Sequence, residues 1–278
     1  MDTNQLLLAR LQNSLSKNST FVKVKKDFEK TFERLGIDPT ETTPFATGIL
    51  QFIRTAGTIE EAETNIKQLF TTRHFNGKNV FELIQAGLQE RFEIIFNQLR
   101  PHLKDVGNAI DYGCGSGTLT QMLYDRCGIS IEGVDVRDFR AKTVSIPVRL
   151  FDGYSVPVSD KHYECAVLTN VIHHEADNEK ILLELNRIVS RKLVIIETVP
   201  EADDEKTAAE DWGRMLLNDT LWNRFFNYAN IPVPGTYEIP SNWIKRFEKY
   251  GWKCIHSEDL GFDQPTIQDR HHLLVFER

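Results

Sequence analysis

Asn108-Ala-Ile-Asp-Tyr-Gly-Cys-Gly-Ser-Gly-Thr118 decides the fold of this 278-residue chain. A short apolar run ends in Asp111. Three glycines follow at alternate positions, Gly113, Gly115 and Gly117, and Thr118 to Cys127 then reads as a helix. The pattern is that of a buried strand entering a tight turn that opens a helix. Glycine at these places allows positive φ and lets a ligand approach the main chain closely. The helix N-terminus contributes free N–H groups and a partial positive charge, which suit an anionic ligand group.

Downstream the alternation continues. Ser130 to Val136 reads as a second strand, with Asp135 at its end. A carboxylate there can accept hydrogens from both ribose hydroxyls. The interval from the glycine loop is about the ~20 residues of one strand–helix–strand step. Pro147 to Gly153 reads as a third strand ending in Asp152-Gly153. Tyr163 to Thr169 reads as a fourth, with the polar exit Asn170-Val-Ile-His173-His174. Lys192 to Thr198 is a fifth, and two more strands are expected at Trp252–Ser257 and His272–Glu277.

Spacing separates this loop from the nicotinamide and flavin fingerprint, G-x-G-x-x-G. Asp-x-Gly-x-Gly-x-Gly, followed in order by the acidic strand ends, resembles the class I S-adenosylmethionine (SAM) methyltransferases over residues 108–278. The resemblance implies an α/β, Rossmann-like fold. Its seven-stranded sheet would be mostly parallel, with an antiparallel last strand, and an N-terminal helical region would precede it. It also implies SAM as cofactor and S-adenosylhomocysteine as product. Asp111, Gly113, Cys114, Gly115 and Gly117 would lie against the methionine part. Asp135 and Val136 would hold the ribose, Asp152 and Gly153 the adenine side, and Asn170 the region beneath the sulfonium. Arg137 to Ile146 is too short for a full helix, so the adenine wall is expected to be a turn or loop. Asp152-Gly153 also reads as a plain turn.

The first hundred residues carry helical periodicity: Leu6, Leu7, Leu8, Leu11 and Leu15, then Phe21, Val24, Phe28, Phe32 and Leu35. Gly36 and Pro39 are expected to close the second helix. Further helices are predicted at Phe45–Ala56, at Thr58–Phe70 with a capping start, and at Asn79–Leu99. Residues 1–103 are therefore expected to form a helical cap or lid, with packing as the main role of its apolar stripes. Residues 104–278 would form the methyltransferase domain, with a helical, aromatic insertion at about 201–240. Thr207 to Asn230 reads as a helix rich in rings: Trp212, Trp222, Phe225, Phe226 and Tyr228. Another helix is predicted at Pro240–Tyr250. In the resembling family an insertion after the fifth strand builds the acceptor pocket, which makes Trp212, Trp222 and Phe226 candidate substrate contacts. An antiparallel last strand would start at the sheet edge where the others end. Asp263, Gln264 and His271 then join that group.

Methyl transfer needs an aligned nucleophile, exclusion of water and, for a hydroxyl acceptor, removal of a proton. Histidine suits the last task near neutral pH. His173 and His174 follow the fourth strand and are the candidate catalytic residues; ordinary packing is the competing reading. No metal is expected, since adjacent histidines rarely reach one ion. Net charge is −7, which argues against nucleic acid as partner. No run of about twenty apolar residues suggests a membrane span, and the start lacks a secretory pattern. Four scattered cysteines fit a reduced, cytoplasmic protein. The expectation is a methyltransferase acting on a small apolar or aromatic acceptor, with oxygen as the favoured atom. The N-terminal helices could carry a homodimer contact. The alternatives are a protein or RNA methyltransferase, or a non-catalytic regulator that binds SAM or its product.

Overall fold

The computed structural model describes residues 2–226 and 231–278. Along the chain the elements are α1 (Thr3–Ser16), α2 (Asn18–Arg34), α3 (Pro39–Thr55), α4 (Ile59–Thr72), β1 (His74–Phe75), β2 (Lys78–Asn79), α5 (Val80–Leu99), β3 (Asn108–Tyr112), α6 (Thr118–Cys127), β4 (Ser130–Asp135), β5 (Val148–Leu150), β6 (Tyr163–Thr169), α7 (Glu179–Ile188), β7 (Val189–Val199), α8 (Glu205–Thr220), α9 (Pro240–Glu248), β8 (Lys253–Gly261) and β9 (Arg270–Glu277). They fall into two compact units. The first takes residues 1–91, 200–235 and 262–269; the second takes 92–199, 236–261 and 270–278.

Local chemistry starts the helices of the first unit. Asp2 and Gln5 form a capping box on α1. Thr58 Oγ1 accepts from the Glu61 N–H, while the Glu61 carboxylate reaches back to the Gly57 N–H at 2.7 Å. The third helix starts six residues before the position expected from its apolar pattern. Asp38 caps it and Pro39 stands in its first turn. Proline opens a helix well because its missing N–H would go unbonded there and its φ is already helical. The phenylalanine stripes meet as a core of rings. Phe32 sits edge-on to Phe45 at 4.7 Å, and Phe70 stacks on Phe45 at 5.8 Å. The β1–β2 hairpin, absent from the sequence reading, turns through Asn76 and Gly77, both at positive φ. That Asn-Gly pair is the usual residue choice for a two-residue hairpin turn.

α8 is capped by Asp204 and passes into a π-helical turn over Leu221–Phe226. The predicted helix extended to Asn230; residues 227–230, Tyr228 among them, lie outside the described residues. Arg214 of α8 is 2% exposed. Both Asp211 oxygens take its N–H groups at 2.6 and 2.8 Å, and Asp27 and the Gln268 carbonyl accept at 3.1 and 2.8 Å.

The second unit holds the seven-stranded sheet, in the order β5-β4-β3-β6-β7-β9-β8. β3, β4, β5, β6 and β7 run parallel, and β9 is antiparallel to both β7 and β8. The expected mostly parallel sheet with an antiparallel last strand is therefore present. Alternate residues serve opposite faces. Ala109, Ile131, Val167, Val194 and Ile196 pack with α6 and the end of α5. Ile110, Val134, Leu168, Leu193 and Ile195 pack with α7 and α9. Burial of both faces explains why these strands read as nearly unbroken apolar runs. Trp243 and Trp252 belong to this core. Between β4 and β5 the chain makes turns and no helix, as the short Arg137–Ile146 segment implied. Among the described residues, no helix is long and apolar enough to cross a membrane.

Candidate active site

β3 is the central point of the sheet. Asp111 pairs in register with Gly133 of β4 on one side and Val167 of β6 on the other. Strand order reverses here, and in open α/β sheets ligands bind beyond the strand ends at such a switch. The glycine loop leaves β3 at this place. Its first N–H groups, from Gly113 and Cys114, both donate to the Val134 carbonyl, at 2.8 and 3.0 Å. Gly113, Gly115 and Gly117 have φ of +77°, +52° and +70°, a region that L side chains enter only at a cost. A Cβ at Gly113 would stand 2.7 Å from Val171. At Gly115 it would meet nothing within 4 Å, so the middle of the loop presents bare backbone to open space. Gly117 leads directly into α6.

Two buried carboxylates flank the loop. Thr120 Oγ1 donates to Asp111 Oδ2 at 2.5 Å. Among the described residues, Asp111 Oδ1 has no hydrogen-bond partner. Burial, with the Asp135 charge adding to it, pushes the Asp111 carboxyl up to about 7, against the Thr120 bond. Asp135, 7% exposed, accepts from the Gly115 N–H at 2.8 Å and the Arg137 N–H at 3.3 Å. Burial still raises it above the usual carboxylate range. Cys114 is a free buried thiol, raised well above its usual value by burial and by these two carboxylates.

Asn170, at the end of β6, has φ +56°. Its N–H donates to the Ile196 carbonyl at 2.8 Å, while its Oδ1 is buried and has no partner among the described residues. Val136 is exposed, and a Cβ on Gly153 would lie 3.3 Å from it. Asp152 is exposed and folds its own turn. Its Oδ1 accepts from Tyr154 and Ser155 N–H, both at 2.8 Å, and these bonds hold the carboxyl below its usual range. The turn that the Asp-Gly pair suggested is thus present.

The loop after β6 turns through a 3₁₀ segment, Ile172–His174. Glu197 of β7, 1% exposed, organises it. One carboxylate oxygen accepts from the Val171 and Ile172 N–H groups at 2.9 and 2.7 Å. The other meets His173 Nδ1 at 2.6 Å. Burial pushes the Glu197 carboxyl upward, but the His173 charge and these bonds outweigh it and hold the group below its ordinary value. Thr236 Oγ1 donates to the His173 carbonyl, and the Tyr237 ring lies 5.6 Å from the imidazole. His173 is 3% exposed and His174 half-buried, with ring centroids 4.2 Å apart. No motif in the sequence singles out Glu197 for this role; the one signal is a carboxylate inside an apolar strand, which is costly without partners. Nothing local signals Thr236.

The remaining candidates lie in both units. His271 is fully buried, in register with Thr198 of β7. In the first unit, Trp212 Nε1 donates to the Gly235 carbonyl at 2.8 Å, clamping that turn. Phe226 is 7% exposed and packs on Phe70 and Phe32 at 5.0 and 6.1 Å. Trp222, partly exposed, sits edge-on to Phe226. Gln264 is buried and accepts from Arg91, on which Asp263 also acts through space. In this aromatic segment Phe226 makes core contacts and Trp212 a turn contact.

A family model described as a methyltransferase domain matches residues 79–257. No curated protein matches the chain. Among solved structures, a geranyl diphosphate methyltransferase in complex with SAM has TM-score 0.53 at 13% identity, over 76% of this chain and 94% of that one. The geranyl diphosphate C-methyltransferase of Streptomyces coelicolor A3(2) has TM-score 0.51 at 12% identity, over 76% and 87%. A Haloferax volcanii methyltransferase, solved with the Trm112 activator, has TM-score 0.50 at 16% identity, over 69% and 91%. At these identities the likeness is one of fold. The chain belongs to the methyltransferase-domain family and is a class I SAM-dependent methyltransferase.

The residues present fit SAM. Orphaned buried oxygens on Asp111 and Asn170, the acceptor pair on Asp135 and the bare backbone at Gly115 form a donor-poor cradle. Such a cradle suits hydroxyl and ammonium donors. When bound, SAM supplies an activated methyl group on a sulfonium leaving group.

Proposed function

We propose that this enzyme methylates a hydroxyl oxygen of a small acceptor and that His173 takes the proton. The observation that carries the reading is the His173–Glu197 pair, seated at the sheet edge where the glycine loop also lies. Glu197 sets the ring. With Nδ1 directed at a carboxylate, the hydrogen on Nδ1 is fixed and Nε2 is the atom through which a proton would pass. A negative partner also stabilises the imidazolium formed during transfer. A base only 3% exposed meets groups that enter the protein, which favours a small acceptor over an RNA or a protein surface. The net charge of −7 weighs the same way against RNA. His174, half-buried beside it, is the second candidate base.

The test is transfer of a labelled methyl group from SAM across a panel of phenols, carboxylic acids, amines, proteins and RNA, with wild type, His173→Asn and His174→Asn. A positioned base contributes roughly 10²–10⁴-fold. His173→Asn should lower kcat within that range, and the residual rate should recover as pH rises and the hydroxyl ionises unaided. Label appearing on RNA, protein or carbon, or kcat unchanged in both variants, would refute the reading.

A further inference from the structure

Arg91 and Gly87 lie one turn apart on α5, so they share one side of the helix. The loop 262–269 packs along that side. Arg91 Nε donates to Gln264 Oε1 at 2.7 Å. A Cβ on Gly87 would stand 3.0 Å from Thr266, so the loop sits close because position 87 is glycine. Among the described residues, Gln264 is the one hydrogen-bond partner of Arg91, and no carboxylate pairs directly with the guanidinium. Loss of hydration against the surrounding protein pulls the Arg91 guanidinium down to about 10, with Asp263 opposing the shift only through space. Arg91 is partly exposed, so a ligand can reach it, and its cation lacks a direct counter-charge among the described residues, which an anion would supply. Two more polar groups in the same loop share this lack. Gln264 Nε2 and Thr266 Oγ1 are buried and have no hydrogen-bond partner among the described residues. The residues are 1% and 2% exposed.

We propose that Arg91, braced by Gln264, with Thr266 beside it, forms a subsite for an oxyanion, a carboxylate or phosphate carried by a small ligand. The planar guanidinium suits bidentate binding of either group. Gln264 fixes Nε and leaves the terminal nitrogens to face the ligand. The inference rests on the methyltransferase class and is independent of the His173 base.

The probes are acetate and inorganic phosphate at constant ionic strength, with chloride as the reference. The readout is the Arg91 Nε–H resonance of ¹⁵N-arginine-labelled protein. A saturable shift with either oxyanion and none with chloride is expected. Arg91→Lys should still bind, detected as a rise in Tm with phosphate, more weakly than wild type, and Arg91→Met should not. If the methionine variant does not fold, the resonance and the lysine variant suffice. A second titration, of S-adenosylhomocysteine against its decarboxylated counterpart, distinguishes the source. If the oxyanion is the cofactor's carboxylate, wild type prefers the carboxylate form by about tenfold or more and Arg91→Met loses that preference. If the oxyanion belongs to the acceptor, that preference is unaffected by Arg91→Met while the acetate and phosphate response is lost. No saturable oxyanion response in wild type, together with a cofactor preference indifferent to Arg91, would overturn the proposal.

Discussion

At the residue scale, Glu197 does three things with one carboxylate: it holds two backbone N–H groups and one imidazole. Removing one member of a buried charged pair leaves the other without compensation, which costs about 3–5 kcal/mol. Glu197→Ala should lower Tm accordingly in thermal denaturation. The pH dependence follows from the direction of its shift. The folded-state carboxyl lies below the ordinary 4.5. Its stabilisation is therefore complete above that value and is lost as pH falls through the folded value. Wild type and Glu197→Gln should differ at neutral pH and converge in acid; a gap that persists in acid would contradict the assignment. Asp111 has the opposite sign. Its carboxyl is raised from 3.8 to about 7, so its contribution is present below 3.8 and disappears as pH rises through about 7. Asp111→Asn should raise the Tm of the ligand-free protein more above pH 7 than near pH 4. Equal effects at both pH values would count against the burial argument.

At the element scale, β4 and the glycine loop are fitted to each other through Gly133. A Cβ there would lie 2.6 Å from Cys114 Sγ and 2.9 Å from its Cβ. Overpacking of this kind costs about 1–3 kcal/mol. Gly133→Ala should push the loop outward, lowering both Tm and affinity for S-adenosylhomocysteine. Adding Cys114→Ala should restore part of each, since the Cβ contact remains. Additive losses in the double variant would show that the two sites are not coupled. This scale also separates what the sequence makes legible from what it hides. The glycine loop and Asp135 are readable because a turn and a strand end are local features. The turn at Asp152 is readable because its partners are two and three residues away. Pro39 misleads because one residue type can end a helix or open one, and Asp38 decides which. The packing of Phe226 on Phe32 and Phe70 is hidden because it joins residues more than 150 positions apart. The Glu197 and Thr236 contacts on His173 bridge 24 and 63 positions, and no spacing in the chain encodes them.

At the scale of the whole molecule, each unit has its own means of cohesion. The sheet unit rests on two apolar layers, one on each face. The helical unit combines its ring cluster with the buried Arg214, which meets Asp211 and Asp27 directly and has Asp269 at 3.6 Å. Arg214→Met strands those carboxylates in a buried setting, and a loss of about 3–5 kcal/mol is expected in urea unfolding. A midpoint within error of wild type would show that water reaches the cluster. The central claim is that the loop from Asp111 to Gly117, with Asp135, holds SAM in a working methyltransferase. Calorimetric titration of S-adenosylhomocysteine tests it most directly. Wild type should bind at one site. Asp135→Ala should bind more weakly by about 1.5–3 kcal/mol, the value of a hydrogen bond to a charged group. Gly115→Val should not bind, with the sheet still folded by circular dichroism. Equal affinity in all three proteins, or no binding by wild type, would contradict the account.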